Sequence, residues 1–313
     1  MSLSPEFQSL LARSFEGAGG IISLFNGEES TTWAEAREAY VAQLEKTLLP
    51  PPEVTFDMVD LGGVPTLRVT PDDLDEGRAL LYLHGGGYVH GGPGAYRSIT
   101  GHYAKKLRAR VYIPDYRQAP EHQFPVPIDD TIRAYRGLLD MGQDPKQVVF
   151  SGDSAGGALV VTIMRKARDA GLPLPVAGVA ISPWADLAHA GESARSRDGR
   201  DPTGTNVEIL NKLVSLFLGN ELPSHPDASP IHADLRGLPP VLIQMGENEV
   251  MLSGGISLAE RLADQRVRVT LEIWPGMFHV WPIFVGHLAE ADEALDNAVT
   301  FLLREYNRAA SKS

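Results

Sequence analysis

The sequence contains no cysteine among its 313 residues. Disulfide bonds and thiol chemistry are therefore excluded, and the commonest ligand of structural zinc is missing. No apolar run approaches the ~20 residues that a helix needs to cross a bilayer, so we expect no membrane insertion. The first six residues lack the basic and apolar regions of a signal peptide, and we expect a cytoplasmic protein.

Basic residues are also scarce. The 28 Lys and Arg residues stand against 40 Asp and Glu residues, which gives a formal net charge of −12. Domains that bind nucleic acid usually carry a basic patch, so we expect no nucleic-acid partner. The remaining composition is that of an ordinary globular protein. A chain of this length can bury its core as one α/β domain with a small appended subdomain.

The pattern around which the chain is organised lies at residues 152–156, which match G-x-S-x-G around Ser154. The apolar run 147–150 predicts a buried strand before it, and apolar spacing predicts a helix over 158–170. Small neighbours permit a sharp strand-to-helix turn that exposes the Ser154 hydroxyl. The alternative is a glycine-rich helix start that only packs closely, and the motif alone does not separate the two.

A second glycine-rich segment, His84-Gly85-Gly86-Gly87, directly follows a buried strand predicted at 79–83. Three consecutive glycines leave backbone N–H groups unobstructed. An oxyanion hole needs such donors within ~3 Å of the developing charge. The plain alternative is a flexible loop, and we expect His84 to fix the shape of this loop.

A nucleophilic serine needs a histidine base and an acid that orients that histidine. Of nine histidines, we favour His279, because it follows the last predicted strand, 267–274. In the chain order serine–acid–histidine, the acid should follow the strand predicted at 241–245. Glu247, Asn248 and Glu249 stand there.

The order of predicted elements defines the fold class. A hairpin at 54–70 is followed by strands alternating with helices, which predicts a mainly parallel, doubly wound sheet. Residues 188–235 interrupt this rhythm, and an insertion of that length is usually functional. We expect 1–49 and 188–235 to form a helical cap over a catalytic domain made of 50–187 and 236–313.

Together these motifs resemble the hormone-sensitive-lipase family of α/β-hydrolases, in its bacterial esterase branch (family IV). The resemblance runs from about Leu80 to the C-terminus. It rests on the oxyanion motif at 84–87, a scaffold loop at 116–125, the nucleophile motif G-D-S-A-G-G at 152–157, the strand exit at 182–184 and the histidine loop at 276–281. It implies an eight-stranded α/β-hydrolase sheet beneath the cap.

The resemblance implies two-step hydrolysis of short-chain carboxylic esters through an acyl-enzyme, without metal or cofactor. Ser154 would be the nucleophile and His279 the base. Backbone N–H groups of Gly86, Gly87 and Ala155 would bind the oxyanion, and the loop would take its shape from His84, Gly85 and Asp153. The partner would be a small ester, and members of the family often form dimers.

The sequence departs from the family at the acid. Many relatives read G-x-D-E-x-L, and Asn248 stands at the place of their aspartate, where an amide cannot serve as an anion. Other relatives read G-x-x-E-x-L and use the glutamate, which falls on Glu249. We therefore predict Glu249 as the acid. Glu247 is an alternative, and so is a weakened dyad in which Asn248 only orients His279.

Three functions are compatible with these motifs. The leading hypothesis is a carboxylesterase for small esters. A lactone hydrolase or a deacetylase would use the same machinery. The third hypothesis is a ligand-binding pseudo-hydrolase. Plant gibberellin receptors resemble this family but have lost the catalytic histidine. The hypothesis is considered because Asn248 stands at the place of the usual acid.

Overall fold

The computed structural model describes residues 3–28 and 30–311. Within these residues the strands are β1 (Val54–Leu61), β2 (Val64–Pro71), β3 (Ala79–Leu83), β4 (Arg110–Pro114), β5 (Val148–Asp153), β6 (Gly178–Ile181), β7 (Val241–Gly246) and β8 (Val269–Trp274). They form one eight-stranded sheet in the order β1-β2-β4-β3-β5-β6-β7-β8. β2 is antiparallel to β1 and β4, and the other neighbours are parallel. The predicted fold class is confirmed.

The helices of the described residues are α1 (Pro5–Ser14), α2 (Gly19–Phe25), α3 (Trp33–Thr47), α4 (Arg97–Leu107), α5 (Val126–Asp140), α6 (Ala155–Asp169), α7 (Ser193–Ser196), α8 (Val207–Leu218), α9 (Leu252–Asp264) and α10 (Ala289–Ala310). In this part of the chain, none of them combines the length and the apolar character that a membrane span requires. α3 begins with a capping box, since Thr32 and Glu35 each accept a hydrogen bond from the other's backbone N–H.

The sheet is covered on both faces. β3 shows this most simply, because its side chains alternate between two separate apolar cores. Leu80 and Tyr82 belong to one core, and Leu81 and Leu83 belong to the other. Parallel strands buried on both faces read as continuous apolar runs, which is why 79–83 was recognisable in the sequence.

The serine turn is tighter than the sequence suggested. β5 continues to Asp153 and α6 begins at Ala155, three residues before the predicted start. Gly156 therefore lies in the helix, and its role is close packing. A Cβ at this position would stand 1.9 Å from the carbonyl oxygen of Leu83, at the end of β3. The glycine lets the helix start lie directly against the neighbouring strand.

We predict that Gly156→Ala lowers the free energy of unfolding by about 3 kcal/mol, because a methyl group on this helix start overpacks against strand backbone. Urea unfolding followed by circular dichroism measures the change. Gly19→Ala in α2 is the matched control, since no atom lies within 4 Å of a Cβ there. A helical alanine is intrinsically favourable by up to ~1 kcal/mol. Equal unfolding midpoints for the two variants would contradict the packing argument.

Candidate active site

Ser154 occupies the turn between β5 and α6, at the carboxyl ends of the parallel strands. Its backbone has φ 54° and ψ −120°, a conformation that a residue with a side chain seldom adopts. Two hydrogen bonds hold it there: its N–H donates to the carbonyl of Ile181 at 2.9 Å, and its own carbonyl accepts from Trp184 N–H at 2.9 Å. The end of β6 and the segment after it thus fix the serine.

His279 faces this serine from the loop after β8. Its Nε2 lies 3.0 Å from Ser154 Oγ. The loop is anchored by its backbone, since His279 N–H donates to Asp201 Oδ2 at 2.8 Å and Val280 N–H donates to Ser182 Oγ at 3.1 Å. The imidazole is therefore held within hydrogen-bonding reach of the serine hydroxyl.

Glu249 completes a chain of contacts on the far side of the imidazole. Its Oε2 lies 2.9 Å from His279 Nδ1. Its Oε1 accepts from Ser182 Oγ at 2.7 Å and from Gly246 N–H. The side chain is fully buried. A buried carboxylate is stable only when such donors surround it.

The two groups shift each other's pKa. Burial raises the pKa of Glu249, and its hydrogen bonds and the charge of His279 oppose that rise. Burial alone would lower the pKa of His279, but the hydrogen bond and charge of Glu249, together with the charges of Asp201 and Asp153, outweigh burial, so the pKa is raised above 6.5. A carboxylate that stabilises an imidazolium in this way favours proton uptake by the histidine.

The other two candidates in this loop point elsewhere. Glu247 Oε2 accepts from Gly276 N–H at 2.9 Å, and Asn248 Nδ2 donates to the Gly276 carbonyl at 3.1 Å. Both therefore hold the turn that precedes the histidine loop. In the described residues, neither side chain makes a hydrogen bond to His279. The structure brings together Ser154, His279 and Glu249.

The glycine loop lies beside the serine. Gly86 and Gly87 have φ values of 103° and 61°, which favour glycine, and both line a cavity with Ser154. Among the described residues, no group accepts a hydrogen bond from the N–H of either glycine. Ala155 is the first residue of α6, so its N–H has no acceptor within the helix. Three backbone donors are thus available next to Ser154.

Asp153 ties this loop to the serine strand. Its Oδ1 accepts from Gly85 N–H at 3.1 Å and from Tyr82 Oη at 2.9 Å, while Oδ2 accepts from Tyr96 Oη at 3.1 Å. Burial raises the pKa of Asp153 to about 6, against the effect of these hydrogen bonds. A Cβ on Gly85 would lie 2.3 Å from Asp153 Oδ2. The carboxyl group of Asp153 can therefore occupy this position only because residue 85 has no side chain.

His84 sits behind the glycine loop and is not aimed at the serine. Its Nδ1 lies 2.8 Å from the carbonyl oxygen of Gly85, and its ring stacks on Tyr116 with centroids 4.2 Å apart. Burial lowers its pKa to about 4, so the imidazole is neutral near pH 7. These contacts fix the conformation of residues 84 and 85.

Two residues of the site were missed in the sequence. Asp201 holds the backbone of His279, and Ser182 bridges Glu249 and the histidine loop. A signal existed for Ser182, which comes directly after β6 at the same sheet edge as the serine turn. Asp201 gave none, because it lies in an irregular segment 78 residues before its partner.

Ser154 and His279 open into a cavity of about 150 Å³, called the serine cavity below. Its lining comes from the first 49 residues, from the segment 188–235 and from the loops at the sheet edge, and includes Phe15, Ile21, Phe25, Tyr40, His90, Thr205, Ile209, Leu213 and Ile283. A wider open groove of about 730 Å³ lies along α3 but contains neither Ser154 nor His279. The serine cavity is therefore the one that contains the candidate catalytic side chains.

Comparison with known proteins shows the family to which the chain belongs. Residues 80–283 match the alpha/beta hydrolase fold family. An acetyl-hydrolase of Streptomyces hygroscopicus is 42% identical over 246 residues, which cover 79% of this chain and 82% of that protein. A putative acetyl-hydrolase, LipR, of Mycobacterium tuberculosis is 32% identical over 259 residues, 83% of each chain.

Solved structures agree over nearly the whole length. An esterase from the bacterial hormone-sensitive lipase family superposes with a TM-score of 0.89 at 36% identity, covering 98% of this chain and 100% of that one. EstE5, solved after soaking with p-nitrophenyl butyrate, gives a TM-score of 0.85 at 35% identity, with 97% and 100% covered. The chain therefore belongs to the α/β-hydrolase fold family, in the branch of the bacterial hormone-sensitive-lipase esterases.

Proposed function

We propose that this protein is a serine carboxylesterase that hydrolyses small carboxylic esters through an acyl-enzyme on Ser154. The observation that carries the proposal is the continuous contact from Ser154 Oγ to His279 and from His279 to the buried Glu249. Relatives named as esterases and acetyl-hydrolases support the reaction class.

In the first step, Ser154 Oγ attacks the ester carbonyl carbon while His279 Nε2 takes the hydroxyl proton. The carbonyl oxygen becomes an oxyanion, and the free N–H groups of Gly86, Gly87 and Ala155 are placed to donate to it. Collapse of the intermediate breaks the bond to the alkoxy oxygen. His279 returns the proton to that oxygen, so the alcohol leaves neutral.

In the second step, water attacks the acyl-enzyme and His279 again takes the proton. Collapse then releases the carboxylic acid and restores the Ser154 hydroxyl. Glu249 stays ionised throughout. It holds the imidazole with its proton on Nδ1 and stabilises the imidazolium that forms in both steps. No step requires a group beyond these side chains, the backbone and water.

The size of the serine cavity supports a preference for short acyl groups. About 150 Å³ is the space of roughly five water molecules.

We propose that residues 1–49 and 188–235 act as the cap over the domain 50–187 and 236–313. Support comes from α2 and α8, which contribute Phe25 and Ile209 to the lining, and from Lys212, which contacts Asn26 across the two segments at 3.4 Å.

The test is turnover of p-nitrophenyl esters of graded acyl length, combined with covalent labelling by a fluorophosphonate. We expect acetate and butyrate to be hydrolysed faster than octanoate. A protein that neither released p-nitrophenol nor became labelled would refute the esterase and leave the ligand-binding pseudo-hydrolase. The argument for the pseudo-hydrolase was that Asn248 replaces the acid. Asn248 bonds to Gly276, however, and Glu249 bonds to His279 in its place.

We predict that kcat/KM falls as the pH is lowered through an apparent pKa above 6.5, because only neutral His279 can accept the serine proton. The raised pKa depends on Glu249. Glu249→Gln removes the charge of Glu249, while burial continues to lower the pKa, so an NMR titration of the imidazole should give a lower pKa than in the parent. An unchanged His279 pKa in the variant would show that Glu249 is not its electrostatic partner.

We also propose that two copies of the chain pair and that the protein acts in the cytoplasm. The dimer is supported by β8, which lies at the edge of the sheet and carries Ile273 with 45% of its surface exposed. Sedimentation that shows only monomers at micromolar concentration would refute the dimer.

The cytoplasmic location is supported by the net charge of −12 and is tested by cell fractionation.

A further inference from the structure

Two polar side chains in the wall of the serine cavity have no hydrogen-bond partner among the described residues. Tyr40 of α3 and His90 meet edge-on, with ring centroids 4.9 Å apart. Within residues 3–28 and 30–311, neither the Tyr40 hydroxyl nor either ring nitrogen of His90 makes a hydrogen bond. Polar side chains without a protein partner in the wall of a substrate cavity are available to fix the orientation of a ligand.

The other polar side chains of the wall already have hydrogen-bond partners. Tyr96 donates to Asp153, and Trp184 donates to His189. Thr203 and Thr205 bond to each other, and Thr203 also donates to Asp201. Ser154 and His279 bond to each other. Besides the free backbone N–H groups of Gly86 and Gly87, Tyr40 and His90 are therefore the lining side chains that have no hydrogen-bond partner in the described chain.

The chemistry of His90 is set by its surroundings. Burial lowers its pKa to about 4, so the ring is neutral near pH 7. Nδ1 is enclosed without a partner. Nε2 is not enclosed, and the serine cavity is the space that His90 lines. An enclosed N–H without an acceptor is costly, which favours the tautomer with the proton on Nε2. His90 then presents an N–H donor to the cavity.

Tyr40 offers a second donor of the same kind. Burial, together with the nearby charge of Asp153, raises the pKa of its hydroxyl far above the usual value, so the O–H stays protonated. The same Asp153 charge disfavours an anion at this end of the cavity. Two neutral donors beside a negative charge suit an uncharged oxygen acceptor.

We propose that Tyr40 and His90 bind a second, uncharged oxygen of the substrate, so that the preferred substrates are esters carrying an ether, keto or further ester oxygen. This inference rests on the proposed esterase function and names its substrate class. Both residues act as specificity determinants in binding and take no part in the proton transfers.

Two pairs of esters that differ by one CH₂-to-oxygen replacement test the proposal. The acyl pair is p-nitrophenyl butyrate and p-nitrophenyl methoxyacetate, and the alcohol pair is butyl acetate and 2-methoxyethyl acetate. The readout is the kcat/KM ratio of the oxygenated to the plain ester, compared between proteins, so intrinsic reactivity cancels. In Tyr40→Phe and His90→Phe the ratio should fall about 3- to 10-fold for one pair, as expected for one lost hydrogen bond.

His90→Gln places an amide N–H near the position of Nε2 and should keep a ratio closer to that of the parent. Tyr112→Phe removes a hydroxyl on β4, outside the serine cavity, and serves as the control. Ratios that stay at the parental value in Tyr40→Phe and in His90→Phe, for both pairs, would overturn the proposal. Failure of the parent to hydrolyse any of the four esters would refute the esterase function instead.

Discussion

Ser154→Ala is expected to lower kcat for p-nitrophenyl butyrate by roughly 10⁵- to 10⁶-fold, the loss that follows when a serine nucleophile acting as a unit with its histidine is removed. The methyl group cannot form the acyl-enzyme. What remains is water attack assisted by the backbone donors of Gly86, Gly87 and Ala155. Stopped assays with purified protein measure the residual rate, and mass spectrometry should show no fluorophosphonate adduct.

The control for this prediction is Ser151→Ala, three residues earlier on β5. Ser151 is also buried, and its hydroxyl donates to Tyr103 Oη at 3.2 Å, away from the serine cavity. Its removal costs about 1 kcal/mol of stability and leaves a labelled, active enzyme. A Ser154→Ala protein that still formed the adduct would mean that another residue is the nucleophile.

Patterns that depend on local chemistry were predictable from the sequence. The capping box at Thr32 and Glu35 marks the observed start of α3 at Trp33, because its two hydrogen bonds involve residues only three apart. The same holds for the glycines of the two turns. Gly156 and Gly86 are required because a Cβ at either position would collide with backbone, of Leu83 and of His90 respectively. Such requirements leave a compositional trace that one sequence can show.

Contacts between distant segments left no such trace. Asp201 and His279 are joined by a single hydrogen bond across an irregular segment with no periodicity. Nor does the sequence state which way a side chain points in a tight turn. Residues 247, 248 and 249 follow β7 in immediate succession, yet two of them face the turn at Gly276 and the third faces the imidazole. Motif position alone left all three open.

This loop supplies the second large effect. We predict that Glu249→Gln lowers kcat by roughly 10⁴-fold, by analogy with the loss of the triad carboxylate in serine proteases. Glutamine keeps the shape of the side chain but removes the charge that stabilises the imidazolium. Its amide N–H can also donate to His279 Nδ1. That favours the tautomer with the proton on Nε2, which cannot accept the proton of Ser154. Steady-state kinetics on p-nitrophenyl butyrate measure the loss, and KM should change little because Glu249 does not line the serine cavity.

Glu247→Gln is the matched control, two residues away in the same loop and with the same change of chemistry. Its amide oxygen can still accept from Gly276 N–H, which Glu247 binds at 2.9 Å, so kcat should stay within about 3-fold of the parent, the effect of altering one peripheral hydrogen bond. The reverse ranking of the two variants would assign the acid to Glu247. Equal and small effects would instead favour the dyad, with the histidine working without an anionic partner. The contact between Glu249 and His279 Nδ1 predicts neither outcome, since a carboxylate held there stabilises the positive charge that the imidazole gains during the reaction.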